Sequence, residues 1–271
     1  MSIAYLFVTR NISVTPSIKI IPMLIEQKSL RRTKPNAFII TADCNSTRYN
    51  VTKKNIEERF PNFFNIICFR SIPLNDSRIN VFDTLFIKKL TSNMLTFIEL
   101  WSYEIPKYSK DNEYQWSFIF EDDINFLNPV TFFLTNLTGP VEEIMNNRGI
   151  QMNDGFFYLG ICAPTYSNDD PPILLQSTND GIISRKGYGF CLHASAITAK
   201  RAKLFWTEIS SYRPGIDDRS LDHQLREFCQ RSKTTFYTVG ANMELAPGTG
   251  HYGIAFQDRG RFESTVVEPE N

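Results

Sequence analysis

Three adjacent carboxylates, Glu121-Asp122-Asp123, follow directly on Gln115-Trp116-Ser117-Phe118-Ile119-Phe120, a run that is almost wholly apolar or aromatic. Such a run reads as a strand buried on both faces. Carboxylates at the end of a buried strand are costly without a compensating cation. Asp and Glu oxygens are hard ligands that suit Mn²⁺ or Mg²⁺, and such an ion completes its shell with water and substrate phosphates. The substrate chemistry that fits is a diphosphate. In a nucleotide sugar, a cation bridging the two phosphates stabilises the leaving group as the glycosidic bond breaks. The competing account of the triplet is an ordinary solvated turn.

The elements that must position this triplet read as alternating strands and helices, which predicts an α/β fold with a mostly parallel, Rossmann-like central sheet flanked by helices. Strands are expected at Ile3–Thr9, Ala37–Thr41 and Asn65–Phe69, with crossover helices over Pro16–Lys28 and Asn50–Phe60. Leu85, Phe86, Leu90, Met94, Phe97, Ile98 and Trp101 repeat at three and four, predicting a long amphipathic helix over Val81–Ile105 under the central strand. Ligands of open α/β sheets gather outside the carboxyl ends of strands, where the triplet lies. Further on, the pattern predicts a helix over Thr131–Asn147, a strand over Gly155–Gly160 and a long loop over Cys162–Ser184. A strand over Phe190–His193, a helix over Thr198–Ser210, a turn at Arg213-Pro214-Gly215 and a helix from Ser220 follow.

With 271 residues, 42% of them hydrophobic, the chain can bury a full core, and it reads as one domain over 1–271. Residues 1–125 form its nucleotide-sugar half and 126–271 its acceptor half. Lys+Arg 29 balance Asp+Glu 29, which excludes the broadly basic surface of a nonspecific nucleic-acid binder. No apolar run approaches the ~18 residues of a membrane span. The amino-terminal stretch lacks the marks of a secretory signal, which points to the cytoplasm. Five N-x-S/T sequons, at Asn11, Asn45, Asn50, Asn75 and Asn136, fit a secretory-pathway lumen instead, should a signal lie outside this sequence. The five cysteines are scattered without a C-x-x-C spacing, so reduced buried thiols are expected rather than a zinc cluster or a dense disulfide framework.

Phe118-Ile119-Phe120-Glu121-Asp122-Asp123-Ile124 resembles the hydrophobic-Glu-Asp-Asp signature of the glycosyltransferase family 25 proteins, the lipopolysaccharide and collagen β-galactosyltransferase group. Leu90-Thr91-Ser92-Asn93-Met94 with Trp101 is similar to the family's preceding helix, and Phe157-Tyr158-Leu159-Gly160 to the strand after the motif. His193-Ala194-Ser195-Ala196-Ile197-Thr198 is similar to its His-Ala-Tyr element. Asp217-Asp218 or Leu221-Asp222 matches its Val-Asp motif, and Gln257 with Ser264 its terminal segment. The resemblance runs from Leu90 to Ser264. It implies a GT-A fold, a UDP-galactose or UDP-glucose donor, a divalent metal at the acidic motif and inversion at the anomeric carbon. Two departures, Asn93 and Ser195, favour the alternative of a catalytically inactive carbohydrate-binding relative. A metal-dependent phosphoryl-transfer or hydrolase enzyme is the third reading. Against it, the chain has neither a phosphate loop ending in Lys-Ser or Lys-Thr nor a G-x-S-x-G elbow.

Within the transferase reading, Glu121, Asp122, Asp123 and His251 are the candidate metal ligands. Direct displacement also needs a carboxylate, away from the metal, to take the acceptor hydroxyl's proton; the candidates are Asp222, Asp217 and Asp218, in that order. Ser220 as a helix cap would put Asp222 in the first helical turn. Arg10 and Asp43, after the first two strands, are placed to meet the nucleotide, together with Asp122 and His193. Tyr188, Phe190, Tyr252 and Phe256 are candidates for stacking on sugar faces.

Overall fold

The computed structural model describes residues 34–109, 112–127, 135–178, 181–209, 220–246 and 250–258, all within the compact unit Lys34–Asn271. The strand expected at Ile3–Thr9, the helix over Pro16–Lys28 and the turn at Arg213-Pro214-Gly215 lie outside the described residues.

The opening elements follow their sequence patterns. β1 (Asn36–Thr41), α1 (Thr47–Arg59) and β2 (Asn65–Arg70) form a strand-helix-strand unit, with β2 and then β3 (Trp116–Glu121) parallel to β1. The Ser46 hydroxyl caps α1 by accepting from the Tyr49 amide at 3.1 Å. α2 (Leu85–Glu99) begins at its Thr84 cap, then widens through a π-helical turn at Leu100–Glu104 into α3 (Ile105–Ser109). The single helix expected over Val81–Ile105 is therefore interrupted, which the spacing of apolar residues does not reveal.

Alternate residues of β3 serve two cores. Phe118 and Phe120 pack with Ile56, Phe60 and Phe64, while Ile119 packs with Phe38, Met94, Phe97 and Trp101 on the other face. The first five residues of β3 are buried and only Glu121 at its end is half-buried. Burial of this kind is what carries a chain out to a polar edge: the strand is held rigidly on both sides and delivers its last residue to a fixed place.

Beyond β3 the sheet turns antiparallel. The remaining elements are β4 (Ile124–Phe126), α4 (Thr138–Asn146), β5 (Phe156–Tyr158), β6 (Gly160–Tyr166), β7 (Ile173–Leu174), β8 (Ile183–Phe190), β9 (Ala194–Thr198), α5 (Ala199–Ile209) and α6 (Leu221–Ser232). They end with β10 (Phe236–Val239), β11 (Glu244–Ala246), β12 (His251–Gly253) and β13 (Ala255–Gln257). The large sheet runs β11-β12-β6-β8-β10-β5-β9-β3-β1-β2, with β7 also on β8; β13 pairs β4 separately. Among the described residues, only β1·β2, β1·β3 and β5·β10 are parallel pairs in this eleven-stranded sheet. The mostly parallel, Rossmann-like GT-A sheet expected from the sequence is thus incorrect. No described helix lies between Phe156 and Thr198, so the long crossovers that return a strand in parallel are missing there.

Two local expectations also change. The segment Cys162–Ser184 is partly strand: it holds most of β6, all of β7 and the start of β8. The strand expected over Phe190–His193 ends at Phe190, and the next begins at Ala194. Nor are the thiols reduced. Cys44 is bonded to Cys68, tying the turn after β1 to β2, and Cys162 to Cys191, tying β6 to the end of β8; Cys229 is free and buried. The antiparallel register that sets Cys162 opposite Phe190 brings Cys191 beside it. Closing loops of 24 and 29 residues stabilises a fold by roughly 3–4 kcal/mol each. Among the described residues no helix is long and apolar enough to cross a membrane.

Because Phe118 is fully buried in the sheet's centre, Phe118→Ala is expected to cost about 3–5 kcal/mol. Phe82→Ala, at a ring 92% exposed, should change stability by less than about 0.5 kcal/mol. Urea midpoints of the two variants check the contrast.

Candidate active site

Parallel pairing of β1 with β3 sets Ile40 opposite Glu121, so the carboxyl ends of both strands meet at the acidic turn. Thr41 follows immediately, and its hydroxyl donates to Asp122 Oδ2 at 2.6 Å while accepting from the Asp43 amide at 3.3 Å. Asp43 and Asp122, both expected near a nucleotide, are thereby linked through one side chain. Asp43 Oδ1 in turn accepts from the Asn45 amide at 3.0 Å, ordering the approach to α1. From α1, buried Thr52 donates to the Asp122 carbonyl at 2.8 Å. Arg48, also on α1, places Nη2 at 2.9 Å from Asp122 Oδ1 and 3.4 Å from Asp123 Oδ2.

Glu121 has a different environment. Its amide donates to the His193 carbonyl at 2.9 Å, and its Oε2 accepts from Gln257 Nε2 at 2.8 Å. Burial, followed by the like charge of Asp123, pushes its carboxyl up to about 8; Asp222 and Asp122 add to the rise, and the Gln257 bond opposes it. β13 holds this arrangement in place. It pairs antiparallel with β4, Gln257 opposite Ile124, and the Asp258 amide donates to the Asp123 carbonyl at 2.7 Å. The strap reaches the turn only because Gly160 lets it pass: a Cβ there would lie 2.1 Å from the Ala255 carbonyl oxygen and 2.6 Å from His193 Nε2.

Asp222, on α6, is near enough for its charge to act on Glu121. It lies in the first turn of α6, as expected from Ser220, although Ser220 turns its hydroxyl to the Asp222 carboxylate and to His223 Nδ1 rather than to an α6 amide. Asp222 Oδ1 also accepts from the His223 amide at 3.0 Å, and Oδ2 from the Cys191 amide at 3.2 Å. Cys191 has a φ of +70°, an uncommon backbone state for a non-glycine residue, and its disulfide to Cys162 anchors it there. Beside Asp222, the Phe190 and His223 rings meet at 4.7 Å and the Arg226 guanidinium sits 4.3 Å from the centre of the Phe190 ring.

The other expected site residues fare differently. Arg10, Asp217, Asp218 and Ser264 lie outside the described residues. His193 is buried, with Nε2 3.4 Å from the Ala255 carbonyl oxygen and its ring beside the Cys162–Cys191 disulfide. His251 lies opposite Cys162 in the sheet, on the disulfide side. Three residues of the site carried no signal that singled them out: Thr41, Arg48 and His223. A shallow cleft lined by Lys34, Lys53, Glu57 and Phe60 lies at the amino ends of β1 and β2, away from these groups.

The donor chemistry of the turn suits a hard divalent cation, and the high proton affinity of Glu121 marks negative charge that Arg48 offsets only in part. An all-protein cage is a different matter. Among the described residues, only Cys162, Cys191 and His193 bring three metal-type ligand atoms within 4.8 Å of one another, and two of those atoms are the disulfide sulfurs. A cation at the turn would therefore be held by one or two carboxylates, with ligand phosphates completing its shell.

The Glu121 carboxyl binds a proton in the folded chain well above its unfolded value of 4.5. Between about pH 4.5 and 8 the folded state binds more protons than the unfolded one, so stability falls as pH rises through this window. Glu121→Gln removes the penalty. Its melting temperature is expected to exceed that of the wild type at pH 8.5 and to match it near pH 4, read by scanning calorimetry. No family model matches this chain and no curated protein matches it.

Proposed function

We propose that the protein is a metal-dependent inverting glycosyltransferase that moves galactose or glucose from a UDP-sugar to a glycan or protein-linked hydroxyl. The observation that carries this reading is that Asp222, on α6, lies near enough to the acidic turn after β3 to raise the proton affinity of Glu121 together with Asp122 and Asp123. Displacement at an anomeric carbon needs one acidic group for the donor's diphosphate and a second to receive the acceptor's proton, and the cluster supplies carboxylates from two independent elements. Asp222 takes the second role: the Cys191 and His223 amides and the Ser220 hydroxyl orient its carboxylate, and Oδ2 keeps a lone pair for an acceptor hydroxyl. Asp122 and Asp123 would hold Mn²⁺ or Mg²⁺, which would supply charge stabilisation to the departing diphosphate. Phe190 and His223 offer a ring surface next to Asp222 against which a sugar face can lie. The likeness of Phe118–Ile124 to the family 25 signature adds to this reading.

One observation favours a second reading, a sugar-binding domain without chemistry. The Arg48 guanidinium already bridges Asp122 and Asp123, where a metal would act. The two readings differ in metal dependence. Calorimetric titration of UDP-galactose, UDP-glucose and UDP is expected to show binding in Mn²⁺ that chelator removes and that Asp122→Asn/Asp123→Asn abolishes. Arg48→Ala, which removes the competing cation, is expected to tighten Mn²⁺ binding by about tenfold, or about 1.4 kcal/mol. Sugar binding indifferent to chelator would instead establish the second reading.

A further inference from the structure

Five sequons in the sequence are not used by the proposed chemistry, and four of them fall among the described residues. Their asparagines, Asn45, Asn50, Asn75 and Asn136, are all exposed. Exposure is not automatic for this residue type here, since Asn36 is 6% exposed within β1. Independently, Cys44–Cys68 and Cys162–Cys191 are disulfides, bonds that persist in oxidising compartments such as the lumen where sequons are modified. Cys44 stands immediately before Asn45, so one short turn carries both marks.

We propose that the protein matures in an oxidising secretory lumen and carries N-linked glycans at two or more of Asn45, Asn50, Asn75 and Asn136. The donor is a lipid-linked oligosaccharide diphosphate. The Asn amide nitrogen bonds to the anomeric carbon, the carbon–oxygen bond to the lipid diphosphate breaks, and the amide proton passes to a base of the transferring enzyme. The structure dictates when this occurs at Asn50. The hydroxyl of its partner Thr52 is buried and donates to the Asp122 carbonyl at 2.8 Å, so the sequon is readable only before α1 packs on the acidic turn. The product suits the folded chain. Asn50 Nδ2 donates to the Asn45 carbonyl at 3.4 Å, and a glycosylated amide keeps the one N–H that this bond uses.

The test uses the native full chain isolated from the cells that make it, digested with peptide N-glycosidase in heavy-oxygen water and mapped by mass spectrometry. The expected result is labelled Asp at two or more of the four positions, with the four paired cysteines blocked to alkylation until reduction. Label at one position or none overturns the proposal, as does alkylation of those cysteines without reduction. Where Asn75 or Asn136 carries the label, its substitution by Gln should remove a single mobility step without disturbing the acidic turn; a labelled position whose substitution leaves mobility unchanged overturns the assignment there. This outcome is independent of sugar transfer: an unglycosylated protein could still bind UDP-galactose in Mn²⁺, and a glycosylated one could fail to.

Discussion

Negative charge packed at the end of a buried strand is the constraint around which this fold is arranged. Glu121, Asp122 and Asp123 leave β3 where its neighbours are aromatic rings, and Asp222 approaches them from α6. Groups so placed lose hydration and repel one another, and each must find a donor, a cation or a proton. The structure uses all the means available to the chain itself. Thr41 and Arg48 serve Asp122, Arg48 reaches on to Asp123, and Gln257 serves Glu121. The remaining imbalance appears as the proton that Glu121 keeps to about pH 8.

The architecture exists to hold these groups still. β1 and β3 are parallel and rigidly packed on both faces, so Thr41 and Glu121 arrive at one end together. β13 returns late in the chain to pair with β4 and tie Gln257 and Asp258 to the turn. The Cys162–Cys191 disulfide fixes the amide that orients Asp222. An acidic site assembled from α1, β3, α6 and β13 is thus rigid before any ligand arrives, which is how a binding site avoids the entropic cost of ordering.

How much of this was legible depended on the kind of signal. β1 was expected at Ala37–Thr41 and spans Asn36–Thr41; β3 and the acidic triplet were readable from an apolar run ending in carboxylates. Asp222 was reachable through Ser220, a helix-start residue. The direction of the strands was not readable. A strand covered on both faces shows the same apolar run whether its neighbour is parallel or antiparallel, and β9, built of Ala194-Ser195-Ala196, carries little pattern at all. The disulfides escaped for a related reason: Cys44 and Cys68, or Cys162 and Cys191, become neighbours only once register is known. Arg48 was invisible because one basic residue on a helix has no spacing to mark it, and its role comes from where α1 lies.

The electrostatics of Glu121 decide whether the end of β3 is a built site. Carbon-13 NMR of side-chain carboxyls, with the Glu121 resonance assigned by its loss in Glu121→Gln, measures that proton directly across a pH titration. A midpoint near 8 is predicted, as burial and three neighbouring carboxylates require. A midpoint near the ordinary 4.5 would show that the end of β3 is a solvated acidic turn, and the site assembled around it would lose its physical basis.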